Sequence, residues 1–146
     1  LTGHRLFSPP LNDRGMKALI TGFAMSAVLL SACSKEPGEG GKALIKGTIL
    51  RQDINNNTGQ PTGDPYPAQE YKVYIIYGDG TFYDDDVDTG PAGEYEFRWM
   101  RKGSYTVFAY SECPTCDGGQ EVKKVTVEVS DKKEELQVPT ITVANW

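Results

Sequence analysis

Cys113-Pro114-Thr115-Cys116 places two thiols three positions apart. A thiol–disulfide exchange centre needs its first cysteine at a helix N-terminus, where the peptide dipoles favour the thiolate. Here strand-like patterns flank the pair and no helical period follows. Haem attachment needs a histidine after the second cysteine, and Asp117 stands there. Zinc needs two further soft ligands, and none lies nearby. A local disulfide closing a hairpin tip is the reading that fits, with envelope thiol–disulfide chemistry as the alternative.

Two acidic stretches have the oxygen density that calcium requires, roughly six to eight ligands. Asp84, Asp86 and Asp88 belong to the densest charge run. In an extended strand Asp85 faces the other way, so convergence needs a bulge. The second stretch is Asp53, Asn55 and Asn57, alternate residues in the manner of a calcium loop, with Asp64 in the twelfth place. Its glycine is seventh where sixth is required, and flanking helices are missing. Without calcium, these stretches read as a solvated edge and a polar loop. Tyr66, between Pro65 and Pro67, is an exposed aromatic contact for a glycan or a protein partner, or folds back over the domain. The only histidine is His4. Beyond it, no histidine-based triad, dyad or metal site can be built.

The elements that would position these residues are strands. Ala43 to Arg51 carries Ile45, Gly47 and Ile49 on one face. Gln52 to Gln69 reads as a long loop, of the kind that tends to be functional or disordered. Glu70 to Tyr77 alternates Tyr71, Val73, Ile75 and Tyr77 against Lys72, Tyr74 and Ile76. Gly78-Asp79-Gly80 is a turn, and Thr81 to Tyr83 begins a return strand that enters the acidic run. Glu94 to Trp99 turns Tyr95, Phe97 and Trp99 one way. Ser104 to Tyr110 does the same with Tyr105, Val107 and Ala109. In Val122 to Val129, Val122 is out of phase with Val125, Val127 and Val129, which predicts a bulge near Lys123-Lys124. Leu136 to Val143 closes the domain, with Pro139 demanding an edge or a bulge. About seven short strands without a helix pattern predict an all-β fold, a single antiparallel Greek-key β-sandwich. Tyr71, Tyr95, Phe97 and Tyr105 should supply much of its core.

Ahead of the strands, Ala18 to Ala32 is apolar or small and uncharged, with Lys17 before it. A positive residue, an apolar run and small residues at the cut describe a secretory signal, and the run is shorter than the ~20 residues of a spanning helix. Leu30-Ser31-Ala32-Cys33 resembles the lipobox of bacterial lipoprotein precursors, which implies cleavage before Cys33 and lipidation of its thiol. The resemblance leaves Cys113 and Cys116 as an even pair in an oxidising compartment. The expected organisation is an upstream over-extension or disordered stretch over 1–15, a signal over 16–32 beginning at Met16, a lipidated cysteine and flexible tether over 33–42, and the sandwich over 43–146. Ser34 in place of aspartate favours the outer membrane. Removing Arg5, Arg14, Lys17 and Asp13 from the 15 basic and 20 acidic residues of the whole chain leaves 12 and 19, a net −7. That balance argues against a nucleic-acid partner and against charge-driven adhesion to anionic lipid.

Thr89-Gly90-Pro91-Ala92-Gly93-Glu94-Tyr95-Glu96-Phe97, Met100 and Gly103-Ser104-Tyr105-Thr106-Val107 resemble the carboxypeptidase regulatory-like domain. Ile45 to Ile49 and Val73-Tyr74-Ile75 are similar to its first two strands. The resemblance covers roughly Ala43 to Val129. It implies a transthyretin-like sandwich and a non-catalytic module. The function expected is a lipid-anchored, non-enzymatic envelope module for binding or structure, without a resident cofactor unless calcium binds. The alternatives are a pilus-type subunit that self-associates by strand addition, with Leu136 to Trp146 as donor, and the thiol–disulfide protein.

Overall fold

The computed structural model describes residues 35–146. The segments expected over 1–15 and 16–32, and the lipid site at Cys33, lie outside the described residues. The described chain is a sandwich of two sheets rich in antiparallel pairs. In chain order the strands are β1 Glu39–Ile54, β2 Pro61–Pro67, β3 Lys72–Tyr77, β4 Asp85–Asp88 and β5 Glu94–Met100. They continue as β6 Gly103–Glu112, β7 Gln120–Val129, β8 Glu135–Gln137 and β9 Ile141–Asn145.

One sheet is built around β1. β5 and β8 pair with its first half, β2 and β9 with its second. The other sheet has the order β4-β3-β6-β7, all antiparallel. The core between them follows from alternation. Ile45 and Ile49 of β1, Tyr95 and Phe97 of β5, and Val143 of β9 meet Val73, Ile75, Tyr105, Val107 and Ala109 from β3 and β6. Tyr71 is half-buried against this cluster. Thr89 and Ser111 are buried in this core and both are satisfied. Thr89 receives the Tyr71 N–H and donates to the Ala68 carbonyl, and the Ser111 hydroxyl receives the Ala144 N–H at 2.8 Å.

Several expectations are corrected. The loop expected over Gln52 to Gln69 contains β2. β1 runs on to Ile54, and Asn55 closes a tight turn by accepting the N–H groups of Asn57 and Thr58 on its side-chain oxygen. Pro61, Pro65 and Pro67 are tolerated because β2 pairs with β1 alone, so the missing N–H groups cost no ladder bonds. Thr81 to Tyr83 is not strand. β4 starts at Asp85, after a loop held by the Asp84 carboxylate accepting the Tyr77 N–H at 2.7 Å. The bulge near Lys123-Lys124 is absent: β6 and β7 pair without interruption from Gly103↔Val129 to Glu112↔Gln120.

Trp99 does not follow Tyr95 and Phe97 inward. Its backbone takes φ +62°, the ring is 66% exposed, and Met100 fills the core place. The pairing with β1 shifts register there, since Glu39 and Ala43 both face Met100. β8 and β9 run parallel to β1, where an antiparallel closure was expected, with the break falling at Val138-Pro139-Thr140. Finally, most of the expected tether is built into the domain. The Gly38 N–H donates to the Tyr105 hydroxyl at 2.9 Å, that hydroxyl donates to the Arg101 carbonyl at 2.8 Å, and β1 begins at Glu39.

Candidate functional site

Cys113 and Cys116 are joined as a disulfide at the tip between β6 and β7. The Cys113 N–H reaches the Gly119 carbonyl at 2.9 Å and the Gly119 N–H reaches Cys116 at 3.0 Å, so the tip is a closed knot followed by a short 3-10 turn at Asp117–Gly119. A turn of that length supplies no helix terminus for a thiolate. The segment expected as a strand donor, Leu136 to Trp146, supplies β8 and β9 to its own sheet.

The acidic residues are distributed among protein partners. The Asp53 carboxylate accepts from the Tyr66 hydroxyl at 2.9 Å and from the Asn145 amide at 2.7 Å. These bonds, Asn145 first, hold its pKa below the usual carboxylate range. Asn55 is consumed in its own turn, while Asn57 and Asp64 sit exposed. Tyr66 lies on β2 opposite Arg51, its hydroxyl turned to Asp53. On β4, Asp86 and Asp88 share the ammonium of Lys72 at 2.9 Å each, which raises the lysine pKa, Asp86 contributing more. Asp84 is held by the Tyr77 N–H. Among the described residues no three of His, Cys, Asp and Glu converge as a metal group.

The structure gathers what sequence reasoning left scattered. On the outer face of the β4-β3-β6-β7 sheet, one row of directly opposed residues crosses all four strands: Asp86, Tyr74, Phe108, Lys124. The Tyr74 and Phe108 rings stack at 5.0 Å between centroids, 16° from parallel. Tyr83 and Tyr110 meet the Tyr74 ring edge-on at 4.9 and 5.6 Å, and Tyr110 meets Phe108 at 5.7 Å. Offset and edge-to-face contacts are the favoured arrangements of aromatic quadrupoles, so the rings hold one another in place. Phe108 is the buried floor, while Tyr83 and Tyr110 remain 53% and 39% exposed. Val122 lies directly opposite Tyr110 on the same face. Thr106 and Thr126 share a hydrogen bond at 3.1 Å one row away. Burial, and then the Asp86 charge, push the Tyr74 phenol up, so it stays a neutral donor and acceptor. This face offers an apolar, π-rich platform flanked by a carboxylate, an amine and hydroxyls.

A cleft of about 480 Å³ lies beside β5, lined by Lys46, Thr48, Asp88, Glu94, Tyr95 and Gln137 among others. Three of its charges are already engaged, Lys46 with Glu135, Asp88 with Lys72 and Glu96 with Arg98. Tyr95 covers Gly47, its cross-strand partner, and its hydroxyl is buried without a hydrogen-bond partner.

No known family matches the chain, and no curated protein does. Among solved structures, a Pseudomonas aeruginosa protein proposed to bind carbohydrate superposes with a TM-score of 0.43 at 12% identity, over 74% of this chain and 91% of that one. Likeness of that degree assigns no ligand to this chain.

Proposed function

We propose that this chain is a lipid-anchored, non-enzymatic binding module of the cell envelope, and that it holds carbohydrate on the outer face of its four-stranded sheet. The observation that carries the ligand class is the row Asp86–Tyr74–Phe108–Lys124 with Tyr83 and Tyr110 at its rim. A pyranose ring has a C–H face that is apolar and slightly positive, matched to the negative face of an aromatic ring. Its hydroxyls lie at the periphery, where Lys124, Thr126 and the tyrosine hydroxyls stand. Exposed aromatic patches with polar surrounds mark binding surfaces.

The anchor reading rests on the four residues closing at Cys33, and the outer-membrane reading on Ser34. Kinship with carboxypeptidase regulatory-like domains is supported by Gly93, Tyr95, Phe97, Gly103, Tyr105 and Val107, whose tyrosines, phenylalanine and valine are buried on two strands that face each other across the core.

Affinity electrophoresis of residues 35–146 against envelope polysaccharides and peptidoglycan fragments tests the ligand. Retardation by at least one glycan is expected. Tyr83→Ala and Tyr110→Ala should each weaken it by about tenfold, some 1.4 kcal/mol, with the far-ultraviolet spectrum unchanged. Retardation that both variants preserve would move the site elsewhere, and mobility unaltered by every glycan would remove carbohydrate as the ligand.

A further inference from the structure

The described chain enters the sandwich at one end. Pro37 packs where any side chain on Gly103 would collide with it, and beside Gly78. Gly38 is tied to Tyr105, and its carbonyl receives the Arg101 N–H at 2.9 Å. The entrance therefore lies between the β5–β6 turn and the loop that leaves β3. The two most exposed large hydrophobic side chains among the described residues flank it. Trp99, 66% exposed, ends β5, and Phe82, 82% exposed, stands in the loop after β3. Trp99 holds its place at φ +62°, a backbone conformation that bulky residues avoid. Without it the ring would continue the inward alternation of Tyr95 and Phe97. The strain turns an indole out to solvent beside the point where the chain arrives.

Three residues separate Cys33 from Pro37. Fully extended, that span reaches about 14 Å, shorter than the sandwich is long. We propose that this end of the sandwich docks on the lipid bilayer, with Trp99 and Phe82 seated in its interfacial layer. The proposal rests on the reading of Cys33 as the lipid-bearing residue. A membrane fits better than a protein partner because the covalent reach leaves little room between this end and the headgroups. Indole and phenyl rings are also favoured at that depth. Asp79 and Asp84 beside Phe82 are offset by Arg101 and Lys102 beside Trp99, so the rings lead the contact and salt should not release it. Docking fixes orientation. β6 then climbs from Gly103 away from the bilayer over ten residues, about 33 Å at strand rise. The disulfide tip is held at the far end, and the aromatic row faces sideways.

The sequence contains its own control, because it has two tryptophans and Trp146 follows β9 at the opposite end. The lipidated full-length product is placed in vesicles of phosphatidylethanolamine and phosphatidylglycerol whose acyl chains carry bromine, which quenches indole only on near contact. Trp146→Phe isolates Trp99, and Trp99→Phe isolates Trp146. The expected result is flotation with the vesicles and at least about threefold stronger quenching of Trp99 than of Trp146, unaffected by added salt. Flotation with both indoles quenched alike would overturn the docking and leave the anchor standing. Failure to float, with Cys33→Ser behaving as the parent, would overturn the anchor and the docking together.

Discussion

Tyr95 shows how one residue serves packing and works against it. Its ring lies over Gly47, closing the gap that a glycine leaves in the middle of β1, and a Cβ there would stand 2.3 Å from the hydroxyl. The ring is well placed, but the hydroxyl is buried and unpartnered. A buried hydroxyl without a partner costs about 1–3 kcal/mol, whereas a phenyl ring of the same shape carries no such cost. Tyr95→Phe should therefore raise stability by about 1 kcal/mol. Urea unfolding checks this, and a clear loss of stability would contradict the unpartnered hydroxyl. Trp99 presents the opposite case. An L-residue in the left-handed region costs about 1–2 kcal/mol, and an exposed ring recovers none of that by burial.

At the scale of elements, two glycines of similar backbone angle separate strain from crowding. Gly93 has φ +73° and Gly118 φ +76°. A Cβ on Gly93 would stand 2.3 Å from the Ile49 carbonyl and 3.2 Å from the Ala68 nitrogen, because the start of β5 is tucked against β1. A Cβ on Gly118 meets nothing within 4 Å. Gly118→Ala should cost about 1 kcal/mol, the local penalty alone, and Gly93→Ala at least about 3 kcal/mol as the β1–β5 seam is forced open. Equal losses in thermal melts would contradict the crowding at Gly93.

Period-two alternation was enough to read β3, β5, β6 and β7 from sequence, and with them Val73, Ile75, Tyr95, Phe97, Tyr105 and Val107 as core. It failed where side chains serve the backbone. Asn55 closes a turn that extends β1 and releases β2, and Asp84 delays β4. The disulfide was legible because its partners are local. The aromatic row was not, because Tyr74, Phe108 and Val122 each break the polar phase of a separate strand. Taken one strand at a time they look like irregularities, and Val122 even suggested a bulge. Pairing brings these three breaks to one face of the sheet.

For the whole molecule, pH dependence is weighted towards the alkaline side. Six of the eight tyrosines have phenols raised above 10, mostly by burial, with Tyr77 pushed up to about 12. A group whose folded pKa lies above its unfolded value contributes fully below the unfolded pKa and loses that contribution as pH rises through the folded one. From neutral pH stability should hold level up to pH 10 and then fall between 10 and about 12, as unfolded tyrosines ionise and folded ones resist. Urea midpoints below and above pH 10, followed alongside tyrosinate absorbance, check this, and a midpoint unchanged across that range would contradict it.

The order of assembly is written into the same architecture. β1 is the first strand of the domain, yet partners of its first half come from β8, as in the Lys46–Glu135 ion pair spanning 89 residues, and those of its second half from β9. A chain emerging N-terminus first leaves one edge of its central strand bare until residues 135–145 arrive. Closure is thus a late, long-range event, and the growing chain carries an unpaired strand edge that a holding chaperone would cover until residues 135–145 have emerged.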